Sequence, residues 1–231
     1  MNTHVWLITA KTNLHVGNEN TSNYGIIDNA IQRDALTQLP CINSSSLKGA
    51  INEFCTLDKR LDGKRINIFG SDKKDKSQKG RSQKGKSIFL DAQILFLPVQ
   101  SDTELYSYVT SKEVLDLFLE KIKIFHSDFH FEKKEEELKS KFHLNKSVKI
   151  IDNVLLSEYC KDENLPIIAR NVLENGISKN LWYEQVLPPQ TVLYAMTVDE
   201  DDTLADVING QIIQIGANAT VGYGYCKFVK L

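Results

Sequence analysis

Residues 25–51 read "GIIDNAIQRDALTQLPCINSSSLKGAI". The stretch changes character half-way. Its first part sets Asp28 in a loop-like run, followed by Gln32, Arg33 and Asp34. From Ser46 the periodicity is helical: Leu47, Ala50, Ile51 and Phe54 stand at i, i+3, i+4 and i+7, a stripe that faces a core. Serine is a preferred N-cap, so Ser44, Ser45 and Ser46 predict a helix start with its first backbone amides unoccupied.

Upstream, "HVWLITAKTNLHVG" begins with alternating apolar residues and predicts a first strand ending near Thr12. Residues 17–43 are rich in Gly, Asn, Ser, Thr and Pro and read as a long loop, a kind of segment that more often serves function than mere connection. Downstream, "GSDKKDKSQKGRSQKGKS" (70–87) carries seven Lys or Arg against two Asp and no large apolar residue, and reads as a mobile loop. "IFLDAQILFLPV" reads as a buried strand. "SKEVLDLFLEKIKIF" reads as an amphipathic helix capped by Ser111, with Val114, Leu117, Phe118 and Lys121 at helical spacing and its aromatic residues in the core. Residues 126–147 are charged and expected to be exposed, and "VKIIDNVLLSEY" has strand character. Asn175-Gly176 between two extended runs predicts a β-hairpin. Three more strands are expected at "TVLYAMTV", "QIIQIG" and "YCKFVKL", with a short helix at "DTLADVIN". Strand, helix, strands, helix, strand is the order of an α+β, ferredoxin-like (RRM-like) fold, with the middle of the chain as an insertion.

The 231 residues suit one domain with insertions or two small ones. A formal net charge of −2 announces no nucleic-acid binder, so any basic surface must be local. Cys41, Cys55, Cys160 and Cys226 are scattered, with no CxxC pair and no His at zinc spacing. With no secretory leader read, they are expected to be reduced thiols of a cytoplasmic protein. The longest apolar runs are too short to span a bilayer, and no membrane partner is expected.

Three segments can carry chemistry. The amides and macrodipole of "INSSSLKG", with Lys48 one turn in, suit a phosphate; the alternative is an ordinary capped helix with a solvated lysine. No GxxxxGK[ST] occurs, which argues against a nucleotide-hydrolysing P-loop. In "IGANATVGYGYCKF", Gly216, Gly222 and Gly224 permit positive φ and close approach of a backbone or polyanion. Tyr223 and Tyr225 offer stacking faces; the alternative is a wide hairpin loop. Asp28 either makes an Asx-turn or takes part in catalysis, for which it needs a metal or a polarised hydroxyl. His15 is an acid, a base, a phosphate contact or a packing residue.

Together, in this order and spacing, "LHVG", "IIDNAIQRDALTQLPCINSSSLKGAI" and "IGANATVGYGY" resemble the RAMP superfamily of CRISPR effector proteins. Within it the chain is most similar to the repeated backbone subunit of the type III-B (Cmr) complex, a likeness that "SIFLDAQILFLPVQS" and "LWYEQVLPPQTVLY" support. The resemblance implies an RRM-like palm at 1–14, 44–69, 87–100 and 190–231. It also implies thumb and loop insertions at about 15–43 and 148–189, a basic loop at 70–86 and a helical insertion at about 101–147. It implies stacking of several copies along a CRISPR guide RNA, beside other subunits of the effector complex. Target RNA would be cut at regular intervals, with a divalent metal (Mg2+ or Mn2+) and 2′,3′-cyclic phosphate and 5′-hydroxyl ends. The catalytic and metal-binding aspartate falls on Asp28; His15 and Glu184 match positions linked to cleavage. Ser45, Ser46 and Lys48 match a guide-phosphate site, with Arg33 beside them and Gly222 and Gly224 against it. The family commonly has glycine where Asn43 and Ala217 stand. The chain is also short for the subfamily, implying a trimmed helical insertion between 126 and 165.

Two rivals keep the family: a guide-binding scaffold that never cuts, and an endoribonuclease that processes precursor guide RNA by metal-free acid–base chemistry. A third is a small-molecule enzyme or interaction module of α+β fold, disfavoured by the basic loop and the paired glycine and serine motifs.

Overall fold

Strand β1 (Asn2–Ala10) lies inside the main sheet. Val5, Trp6, Leu7 and Ile8 are all buried, because the strand has a neighbour on each edge and a packed layer on each face. The computed structural model describes residues 1–17, 27–61, 63–71, 83–125 and 129–231. Most of the lysine-rich segment (72–82), and residues 18–26 of the polar loop, lie outside the described residues.

After the polar loop come β2 (Cys41–Ile42), α1 (Ser44–Leu57) and the short α2 (Arg65–Phe69). The "IFLDAQILFLPV" run forms β3 (Ile88–Phe89) and β4 (Ala92–Val99). Beyond it lie β5 (Ser107–Ser111), α3 (Lys112–Lys123), α4 (Glu135–Lys141), β6 (Val148–Ile151) and α5 (Asn153–Tyr159). The hairpin is β7 (Ile167–Glu174) and β8 (Ile177–Gln185). The chain closes with β9 (Val192–Asp199), α6 (Thr203–Ile208), β10 (Ile212–Gln214) and β11 (Tyr225–Lys230).

The main sheet runs β10-β11-β1-β9-β4-β5-β6. Its inner order β11-β1-β9-β4, antiparallel throughout, is what a βαββαβ chain produces when α1 and α6 carry it across one face of the sheet, and it is the expected ferredoxin-like arrangement. On α1, Leu47, Ile51 and Cys55 are buried, and Ala50 and Phe54 pack against the same core. All four cysteines are buried free thiols, and burial pushes Cys55 up to about 12. No described helix is long and apolar enough to cross a membrane.

Several expectations need correction. The helix cap is Asn43, not a serine, and its side chain makes no capping bond; the three serines form the first turn. The stripe on α3 is Val114, Leu115, Phe118, Leu119 and Ile122, while Leu117 is partly exposed. Ser111 does cap it, accepting from the Val114 N–H. Phe118 is core but Phe125 is exposed. The charged 126–147 region contributes α4 and sinks Phe131, Leu138, Phe142 and Leu144 into the core, so its sparse apolar residues act as anchors under a charged surface. "VKIIDNVLLSEY" is a strand only to Ile151; Asp152 then accepts from the Val154 N–H and starts α5. The segment read as a helical insertion also adds β5, which pairs in parallel with β6 across the α3–α4 connection.

Phe118 is the hub of the α3 side of the core. It packs edge-on to Tyr194 of β9 with centroids 4.7 Å apart, and it also meets Phe129, Phe131 and Phe142. We expect Phe118→Ala to lower unfolding free energy by about 3–5 kcal/mol in urea titration. A loss under about 1 kcal/mol would show that this layer does not stabilise the sheet.

Candidate functional site

The β7–β8 hairpin turns at Asn175 and Gly176, with φ of 51° and 78°, the left-handed pair that a two-residue turn requires. β7 occupies one edge of β8. The other edge receives the loop bearing Asp28. The Asp28 and Asn29 N–H groups donate to the Tyr183 carbonyl at 3.0 and 3.1 Å, and the Gln185 N–H donates to the Asn29 carbonyl at 2.9 Å. The Asp28 carboxylate joins this edge: Oδ2 accepts from the Tyr183 N–H at 2.8 Å. Asp28 is exposed, and its Oδ1 accepts no hydrogen bond among the described residues.

His15 is buried beside the same strand. Its Nδ1 lies 2.7 Å from the Gln185 carbonyl oxygen, which can only accept, so Nδ1 carries the proton and neutral His15 keeps its lone pair on Nε2. Glu184 is also buried. Its Oε1 accepts from Trp182 Nε1 and its Oε2 from Asn218 Nδ2, each at 2.8 Å. The structure thus gathers Asp28, His15 and Glu184 around three consecutive residues of one strand, with Asp28 the exposed residue of the three.

Helix α1 is tied to this loop by a residue that the sequence reading did not single out as functional. Gln32 donates to the Gly17 carbonyl at 3.1 Å and to Ser46 Oγ at 3.2 Å, and accepts from the Asn43 N–H at 2.8 Å. One first-turn amide is occupied: the Ser44 N–H donates to Asp91 Oδ1 at 2.6 Å. The amides of Ser45 and Ser46 have no partner among the described residues, and Lys48 makes no ion pair there. Asn43 has φ −60° and ψ 145°, ordinary extended geometry, so the helix start has no need of glycine there.

Arg33 is held within the protein. Its guanidinium donates to Asp162 Oδ1 at 2.6 Å and to the Gln38 carbonyl at 2.9 Å. Gln185, fully buried, donates to the same Asp162 oxygen and accepts from the Ile31 N–H. Asp34 caps the following turn; hydrogen bonds from Thr37 and Leu36, with the Thr37 N–H foremost, hold its carboxyl below the usual carboxylate range.

The glycine-rich tail packs on His15 from behind. The Ala217 N–H donates to the His15 carbonyl, and a Cβ on Gly216 would lie 2.1 Å from that oxygen. Gly224 would meet the Ile215 carbonyl at 2.0 Å, whereas Gly222 faces open space. Gly216 and Gly224 are therefore packing glycines, and Gly222 is one only of turn geometry. Tyr223 is no bare platform either: the Arg170 guanidinium lies over its ring. A sequence shows the glycines but not which one a carbonyl approaches.

Among the described residues no group of three or more His, Cys, Asp or Glu converges as a metal centre. The donor set at Asp28 is one open carboxylate oxygen, which suits a Mg2+-type ion that keeps waters and shares substrate phosphates rather than an all-protein cage.

The RAMP superfamily pattern matches residues 7–227. One relative, the CRISPR system Cmr endoribonuclease Cmr4 of Pyrococcus furiosus, is 27% identical over 263 residues, covering 88% of this chain and 88% of its own. The crystal structure of oligomeric Cmr4 from Pyrococcus furiosus superposes with TM-score 0.75 at 23% identity, covering 100% of this chain and 98% of that one. A subunit in the cryo-EM structure of the type III-B Cmr-beta complex in its apo state gives 0.74 at 20%, covering 99% and 97%. Both likenesses speak to the fold.

We expect Gly216→Ala to destabilise the protein by at least about 2 kcal/mol, because it adds a clash to the cost of positive φ, and Gly222→Ala by about 1 kcal/mol from φ alone. Urea midpoints of the two variants check the order. Equal losses would contradict the close packing on His15.

Proposed function

Because the chain belongs to the RAMP superfamily, we propose that it is the repeated backbone subunit of a type III-B CRISPR ribonucleoprotein, holding guide RNA and cutting complementary target RNA. The observation that carries the reading is Asp28: a carboxylate fixed by one oxygen to the edge of β8, with the other oxygen open to solvent. The relative that is named an endoribonuclease, matched over 88% of its length, supports the same activity. The likeness to oligomeric Cmr4 and to a Cmr complex supports stacking with copies of itself and with other subunits.

In this reading the two halves of the site divide the work. The unpaired amides of Ser45 and Ser46, with Lys48, bind guide phosphates without reading sequence. The hairpin is the thumb, which parts guide from target and exposes the target backbone beside Asp28. Cleavage is attack by a ribose 2′-hydroxyl on its own phosphorus. The 2′-O–P bond forms, the P–O5′ bond breaks, the 2′ proton is lost and the leaving 5′-oxygen gains one. Asp28 Oδ1 accepts from the 2′-hydroxyl or positions a divalent cation, whose contribution when bound is to neutralise charge on the phosphate. His15 and Glu184 act as positioning groups: His15 fixes the segment carrying Leu14 and Val16 to Gln185, and Glu184 fixes Trp182 and Asn218. Arg33 secures the loop through Asp162 rather than meeting RNA.

The test uses the complex assembled on guide RNA and labelled target, comparing wild type with Asp28→Ala, with and without EDTA. We expect evenly spaced cuts that fall by about 10^2-fold or more in the variant and in EDTA, with target binding kept. A variant that cuts normally contradicts the site. A wild-type complex that binds but never cuts makes the subunit a scaffold, and cutting that persists in EDTA removes the cation from the reading.

A further inference from the structure

Arg170 is a cation held in place with its hydrogen-bond donors unused. It stands on β7 opposite Trp182 of β8. Its guanidinium carbon lies 6.0 Å from the centroid of the Trp182 ring and 5.8 Å from that of Tyr223, so two rings from different segments set its position. Its side chain is only 23% exposed. The nearest carboxylate, Glu184 Oε2, is 3.9 Å from Nη1, beyond hydrogen-bond distance, and both Glu184 oxygens already accept from Trp182 and Asn218. Arg33, Arg60 and Arg65 each donate to protein oxygens, whereas Arg170 donates to none among the described residues.

A planar fork of N–H groups, pre-oriented and partly desolvated, matches an oxyanion with two acceptor oxygens, above all a phosphodiester. One face of each ring is turned to the guanidinium rather than to a base, which favours the backbone over the bases as ligand. The location fits as well. Asp28 lies along one edge of β8 and Arg170 across the other, two strand spacings or about 10 Å apart at the backbone.

We propose that Arg170 binds a backbone phosphate of the target strand beside the nucleotide that Asp28 addresses. This deepens the nuclease reading and rests on it. Glu184 then serves Arg170 indirectly. It orders Trp182 and Asn218, and with both oxygens so occupied it leaves the Arg170 donors to the phosphate.

The experiment assembles complexes with wild type, Arg170→Met and Arg170→Lys. Met keeps an unbranched chain between the rings without the charge; Lys keeps the charge without the fork. Target affinity is measured across a salt series, with cutting rate at saturating target. It is repeated with targets, and separately guides, carrying single neutral methylphosphonates around a cut site. We expect Arg170→Met to weaken target binding about tenfold and to lower the salt slope by about one. Arg170→Lys should restore the slope but not the full affinity. One methylphosphonate position in the target, adjacent to the cut, should erase the difference between wild type and Arg170→Met. Unchanged affinity and slope in Arg170→Met would overturn the proposal. So would a defect that no target methylphosphonate erases, the mark of a purely structural role, or one erased only by a guide methylphosphonate. A wild-type complex that neither binds nor cuts target would instead overturn the nuclease reading, and this proposal with it.

Discussion

The edge of β8 that faces away from β7 is the constraint on which the site depends. Tyr183 and Gln185 offer their N–H and carbonyl groups there, and the segment around Asp28 and His15 takes them up. A strand edge left open is a liability, prone to pair with other chains; here it is closed by the loop that carries Asp28. The same bonds that satisfy the backbone thereby aim Asp28. His15 adds a staple from the segment that follows β1 to the hairpin, and the glycine-rich tail presses on the His15 carbonyl from the other side. Chain segments far apart in sequence become one surface because each needs the others' polar groups.

Polar side chains in the interior extend this logic. Gln32 joins the loop to α1, and Gln185 joins it to the turn at Asp162, which in turn holds Arg33. A buried amide with several partners resists displacement, since each unmatched group left behind costs about 1–3 kcal/mol. The start of α1 and the loop bearing Asp28 are thus joined through hydrogen bonds.

Much of the scaffold was legible because it rests on local rules. Asn175-Gly176 read as a hairpin because two left-handed residues in succession admit little else, and Ser111 read as a cap because a serine before an apolar stripe satisfies a helix amide. The β1-α1…α6-β11 order was enough for the fold. What failed was burial that depends on tertiary partners. Leu138 and Phe142 in a run of charges gave no periodic signal strong enough to mark α4 as anchored. The break after Ile151 depends on Asp152 choosing to cap. At the site, Asp28 was visible as a residue but not as the edge partner of Tyr183. Glu184 could not be told from a solvent-facing acid, and Arg33 and Arg170 look alike in sequence although one is fully engaged and the other is not.

On the proposed function, target RNA meets the protein at the outer edge of β8. The most direct measurement is the structure of the assembled complex with a target carrying a 2′-deoxy nucleotide at the cut site, which blocks the attack while preserving binding. We expect the uncut phosphate against the open oxygen of Asp28. A target strand that passes elsewhere, with Asp28 facing bulk solvent, would contradict it.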